Sequence, residues 1–145
     1  MARRFRSTVA MAVPREVAFD YLGDPRNRPE WQSSLRSVTV SDPGAAPHQA
    51  MTWVETMVIG VHPRMEIVEF QRPVVWAERG SWRGVDMTLG LTFEETAGGC
   101  LVVADGAIVG RRLYAVPAVV GGALAGLAIG GDLRKAKKIL ERRTP

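Results

Sequence analysis

The chain has 145 residues, 46% of them hydrophobic and 23% charged, with a formal net charge of +4 and one cysteine, Cys100. This length can bury a core without metals, and a lone cysteine excludes an internal disulfide, so a single domain spanning 1–145 in a reducing cytoplasm is expected. The arginines and lysines are scattered, with no basic run interleaved with aromatics and no metal-ligand spacing, which argues against nucleic-acid partners and against a bound metal.

Phe5, Ser7, Val9, Met11 and Val13 alternate with polar or small residues. That period predicts an opening strand, not the continuous apolar core of a signal peptide. Pro14 then starts a short helix with Val17, Tyr21 and Leu22 on one face and Gly23 at its end, and a second helical piece over about 27–35 carries Trp31. From there to Gly110 the sequence reads as strands: "SVTVSDPG", "MTWVETMVIGV", "RMEIVEFQRP" and "VVWAERGSW" are separated by turn signals at 60–63 and 83–84. Val85, Met87, Leu89, Leu91 and Phe93 alternate cleanly, and Gly98-Gly99 turns the chain into "CLVVADGAIV". The count is seven strands, and connections this short make neighbours antiparallel.

The last segment raises a question of its own. Residues 113–131 carry no charge, and Gly122, Gly126 and Gly130 repeat the spacing by which spanning helices pair. Against a membrane anchor, Gly122, Gly126, Ile129, Leu133, Ala136 and Leu140 form one stripe that continues unbroken into the charged half. A one-sided antiparallel sheet needs a cover, and this is the long helix available, so no stable membrane insertion is expected.

"VPREVAFDYLGDPRNRPEW" resembles the entry signature of the START-like polyketide cyclase/dehydrase and lipid-transport superfamily (SRPBCC). "IVEFQRP" followed by "VVW", and the "GGC" strand start, extend the likeness along nearly the whole chain, with Cys100 where the family commonly has Thr. The resemblance implies an α+β helix-grip fold: a curved seven-stranded antiparallel sheet wrapped around a long C-terminal helix, with two short helices after the first strand. It also implies an apolar cavity between sheet and helix for a hydrophobic small molecule, such as a polyketide, lipid or quinone, and no cofactor.

Within that frame Trp31, Trp53 and Trp82 are expected at the cavity wall or mouth, able to stack on a flat ligand. Met57, Met87, Leu89, Leu91 and Phe93 supply apolar lining, and Gly122 with Gly126 leaves volume beside the helix. Among polar groups, His62 reads as a loop residue, while Trp82, Asp86 and Tyr114 could orient a ligand. Arg64 and Glu66 share a strand face two residues apart and could form either an exterior ion pair or a buried anchor. Glu55 alternates with Trp53 and Met57; facing inward, its pKa would rise and suit proton transfer during enolisation or dehydration. Glu55, Arg64 and Glu66 are therefore the catalytic candidates.

Three functions remain open: a cyclase/aromatase, a carrier or sensor of a lipid, quinone or pigment, and a membrane-surface or oligomerising protein using residues 113–131. The excess apolar surface of that stretch calls for either an entrance flap at 114–121 or burial in a homodimer.

Overall fold

The computed structural model describes residues 2–111 and 115–144, apart from the side chains of residues 2 and 115–127. The elements run β1 (Ala2–Met11), α1 (Arg15–Leu22), a 3-10 turn (Pro25–Asn27), α2 (Arg28–Trp31), β2 (Leu35–Val40), β3 (Thr52–Met57), β4 (Arg64–Gln71), β5 (Val75–Trp82), β6 (Val85–Thr96), β7 (Gly99–Gly110) and α3 (Ala115–Arg143). The strands form one sheet of seven in the order β1-β7-β6-β5-β4-β3-β2. Every pairing is antiparallel. This is the helix-grip architecture the sequence implies, with the second short helix confined to four residues, Arg28–Trp31, after a 3-10 turn.

Period-two alternation fixes which side of the sheet is inside. Val9 and Met11 of β1, Trp53 and Glu55 of β3, Met65 and Ile67 of β4, Trp76 and Glu78 of β5, and Leu89, Leu91 and Phe93 of β6 are all buried. α3 covers this inner face chiefly along β1 and β7. Ile129, Leu133, Ala136 and Leu140 form its buried stripe, as their spacing predicts. Among the described residues no helix is long and apolar enough to cross a membrane.

The strand directions give the sheet two unlike ends. At one end lie the β3–β4 turn, the β5–β6 turn, the start of β1 and the finish of β7, from which the chain passes to α3. The other end holds the β4–β5 and β6–β7 turns and is plugged by α1. There Phe19 stands edge-on to Phe70 and Phe93, with centroids 5.2 and 5.1 Å away. Gly23 closes α1 by donating its N–H to the Phe19 carbonyl at 2.8 Å. A Cβ at position 23 would sit 2.7 Å from that carbonyl oxygen and 3.2 Å from the Trp76 ring, so glycine alone permits this approach.

Candidate functional site

Arg28 and Trp31 occupy positions i and i+3 of α2, hence the same helical face, and both are buried at 1% and 0% exposure. Asp24 starts the preceding 3-10 turn by accepting the Arg26 N–H at 3.0 Å, and this fixes the direction in which α2 enters the sheet. Arg28 Nη1 donates to Glu55 Oε1 of β3 at 2.8 Å and to Glu78 Oε1 of β5 at 3.0 Å. Around the guanidinium stand three indoles: Trp31, Trp53 and Trp76, at 5.9, 5.4 and 5.3 Å from their ring centroids. Arginine suits this place because its delocalised charge is weakly hydrated and is attracted to aromatic faces. Trp53 Nε1 also donates to Glu55 Oε1 at 3.2 Å, which holds that carboxylate in place.

Two carboxylates share one guanidinium, so full ionisation would leave an excess buried negative charge. Glu78 carries the consequence. Burial raises its pKa, Arg28 pulls it down, the neighbouring Glu55 charge raises it again, and the carboxyl is pushed up to about 7. For Arg28, burial opposes the charge, but Glu78 and Glu55 outweigh it and hold the guanidinium above its ordinary value. Arg28 Nη2 lies 2.7 Å from Glu78 Oε2. The approach is off the hydrogen-bond axis, so both atoms keep unused capacity.

A cavity of about 190 Å³ borders this cluster, between the sheet and α3. Its walls are largely apolar, with Phe5, Met57, Met65, Met87 and Leu89 from the sheet and Ile129 from α3. Arg28, Glu55, Glu78 and Asp132 are the charged side chains buried among the described residues, and all four line it. Asp132 accepts from Ser33 N at 3.2 Å and Ser33 Oγ at 2.8 Å, which ties α3 to the segment leaving α2. A broader groove of about 780 Å³ crosses the outer face past Arg64, Glu66 and Arg79. None of the buried charged residues reaches that groove, so the smaller cavity is where polar chemistry is set into apolar surroundings.

The family model for polyketide cyclase / dehydrase and lipid transport matches residues 2–144. The chain belongs to that family. Its members bind hydrophobic small molecules, in keeping with an apolar cavity containing a few convergent polar groups. Similar solved structures include Ara h 8.0201, with TM-score 0.75, 12% identity, and coverage of 98% of this chain and 99% of that one. Protein MLL2253 from Mesorhizobium loti has TM-score 0.74, 15% identity and 99% coverage of both chains. The di-domain ARO/CYC StfQ of the steffimycin biosynthetic pathway has TM-score 0.73 and 16% identity, covering 99% of this chain and 52% of StfQ. Among curated proteins none matches this chain by sequence.

In this member of the family, the residues singled out from sequence divide into groups. Glu55, Met57, Met87 and Leu89 do line the cavity. Trp31 and Trp53 are fully buried against Arg28, so their faces hold the guanidinium and are not open for a ligand to stack on. Phe93 and Leu91 have the inward direction expected but lie further along β6, where Phe93 packs under Phe19 in the core. Trp82 is half-buried at the end of β5, with the Arg83 guanidinium 5.0 Å over its ring.

Arg64 and Glu66 face outward, because the alternation of β4 turns Met65 and Ile67 inside; Glu66 pairs with Arg79 at 2.9 Å instead. Asp86 is likewise on the outer face, 3.3 Å from Arg111. His62 is exposed in the turn after β3, and Cys100 is buried, which raises its thiol pKa. Tyr114 lies outside the described residues, and of the expected 114–121 flap only the backbone of 115–121 is described, as the first turns of α3; the side-chain surroundings at Gly122 and Gly126 are not described.

Sequence reasoning missed Arg28, Glu78, Trp76 and Asp132. For Glu78 a signal was present: Trp76-Ala77-Glu78 repeats the Trp-x-Glu pattern of Trp53-Val54-Glu55.

Proposed function

We propose that this chain, acting as one cytoplasmic domain, binds a small apolar molecule bearing a polar oxygen, and that Glu78 exchanges a proton with it. The single observation that carries the reading is the convergence of every described buried charge on one apolar cavity. A carboxyl with a pKa of about 7 is poised to serve as either acid or base near neutrality. In polyketide cyclase/dehydrase chemistry, Glu78 as carboxylate would take a proton from the carbon beside a ketone. The enolate then adds to a second carbonyl, and the protonated Glu78 returns its proton to the alkoxide, giving a β-hydroxy ketone. For dehydration the Glu78 carboxylate takes a second proton from the α-carbon and delivers it to the hydroxyl, which leaves as water. Glu55 and Arg28 act as positioning residues, holding Glu78 and setting its charge. The likeness to StfQ, an ARO/CYC protein, supports this direction.

The test is cyclisation of a model poly-ketone by the wild type and by Glu78→Gln. A loss of about a hundredfold or more in the variant, with ligand affinity kept, supports catalysis. A second reading, a carrier of lipid, quinone or pigment, is favoured by the three methionines in the wall, Met57, Met65 and Met87, whose flexible side chains adapt to loosely specified shapes. Equal and negligible turnover by both proteins, with tight binding of an apolar ligand, selects the carrier.

A further inference from the structure

The sheet end that carries the β3–β4 and β5–β6 turns has a composition unlike the rest of the surface. Its described residues are 2–4, 35–36, 57–64, 81–86 and 109–111, brought together by the strand order and register. They include Arg3, Arg4, Arg36, Arg64, Arg83 and Arg111, all exposed, against a single carboxylate, Asp86, which is already paired with Arg111. Beyond the arginines the β3–β4 turn projects Val58 and Ile59, 52% and 76% exposed, the latter being the most exposed large apolar side chain among the described residues. Trp82, half-buried beneath Arg83, adds an indole at the same end. The chain enters α3 from here, through a stretch whose sequence has no charge from 113 to 131.

An apolar tip on a sheet end that carries six exposed arginines and one carboxylate is complementary to an anionic bilayer: the tip enters the acyl boundary while the guanidinium groups meet phosphates. The geometry points to docking of this end on an anionic lipid surface, with Val58 and Ile59 inserted and Arg36 and Arg83 on the headgroups. The cavity lies directly behind it. The Val58 N–H donates to the Ser34 carbonyl at 3.0 Å, and Ser34 and Met57 both line the cavity. An apolar ligand could therefore pass between bilayer and cavity with little exposure to water. The contact is peripheral and reversible, since a two-residue apolar tip is far too short to span.

The test is co-sedimentation of the full chain with vesicles of phosphatidylcholine containing phosphatidylglycerol, against vesicles of phosphatidylcholine alone. Binding is expected for the anionic vesicles only, weakening as salt is raised. Ile59→Ser should weaken it about tenfold or more. Arg36→Gln and Arg83→Asn should each weaken it about fivefold. Arg72→Gln removes an arginine at the opposite end, one paired with Asp20 at 2.7 Å, and should leave binding unchanged. Thermal unfolding of each variant confirms that it remains folded. No binding to anionic vesicles, binding indifferent to the tip variants, or an equal loss from Arg72→Gln would each overturn the proposal. So would a chain that stays in the supernatant and self-associates through Ile59, as shown by Ile59→Ser restoring a monomer in sedimentation.

Discussion

Glu55 and Glu78 meet at one nitrogen of Arg28, at 2.8 and 3.0 Å, although β4 separates the strands that carry them. The curl of the sheet brings the two carboxylates toward a common point, and α2 delivers the cation to it. Neither carboxylate has the guanidinium to itself, which leaves the cluster one negative charge in excess when all three groups are ionised. Burial is the main reason the Glu78 pKa is raised, and the Glu55 charge beside it adds to the rise that Arg28 opposes.

Removing the cation should therefore be worse than removing the whole cluster. Arg28→Met leaves two buried carboxylates facing each other and is expected to cost about 3–5 kcal/mol in urea unfolding. The triple replacement Arg28→Met, Glu55→Gln, Glu78→Gln should recover a substantial part of that loss. A triple variant less stable than Arg28→Met alone would contradict this account of the charges.

The pH dependence of stability has a definite sign. An ordinary glutamate releases its proton near 4.5, whereas folded Glu78 holds it to about 7, so between these values the folded chain binds more protons than the unfolded one. The contribution is fully present below pH 4.5 and is lost as pH rises through about 7. Urea midpoints across this window should fall in the wild type and fall less in Glu78→Gln. Identical profiles would show that Glu78 titrates as an exposed acid does.

Cavity and core should separate on the same strand. Phe93→Ala, under α1, is expected to cost about 3–5 kcal/mol of stability while a flat apolar dye still binds. Met87→Ala, in the cavity wall, should cost less stability and weaken the dye. Gly80→Val tests the wall from the facing strand, because a Cβ there meets the Sδ and Cε atoms of Met65 and comes within 3.2 Å of Met87 Cγ. Those flexible methionines would be driven into the cavity, so dye affinity should fall.

How much of this was legible in the sequence depends on the kind of relationship involved. Alternation gave the strands and their inner faces, since period two is a local property of the backbone. It also placed Glu55 inside, and the second Trp-x-Glu would have placed Glu78 there by the same reasoning. Alternation does not say how far along a strand the dense core yields to the cavity, which is why Phe93 and Met87 looked equivalent. Arg28 carried no such mark. It sits on a helix of four residues among polar neighbours, and its burial is decided by carboxylates 27 and 50 residues away. Trp31 and Trp53 were visible as large apolar groups, but their service to a cation follows only from finding that cation.

The outer face of β4 supplies a negative control. Arg64→Ala and Glu66→Ala should change stability by no more than about 1 kcal/mol and leave dye binding and any poly-ketone cyclisation at the wild-type level. A large loss of turnover in either variant would move the chemistry to the outer groove.

The most direct measurement is the affinity of the wild-type chain for naphthol compared with naphthalene, repeated in Glu78→Leu. These two ligands fill nearly the same apolar volume and differ in one hydroxyl, which tests whether the cavity reads a polar oxygen at Arg28 and Glu78. Naphthol should bind the wild type at least about tenfold more tightly, the worth of a hydrogen bond to a charged partner, and the preference should collapse in Glu78→Leu. Equal affinity of the wild type for both ligands would contradict the assignment of this cluster as the functional site.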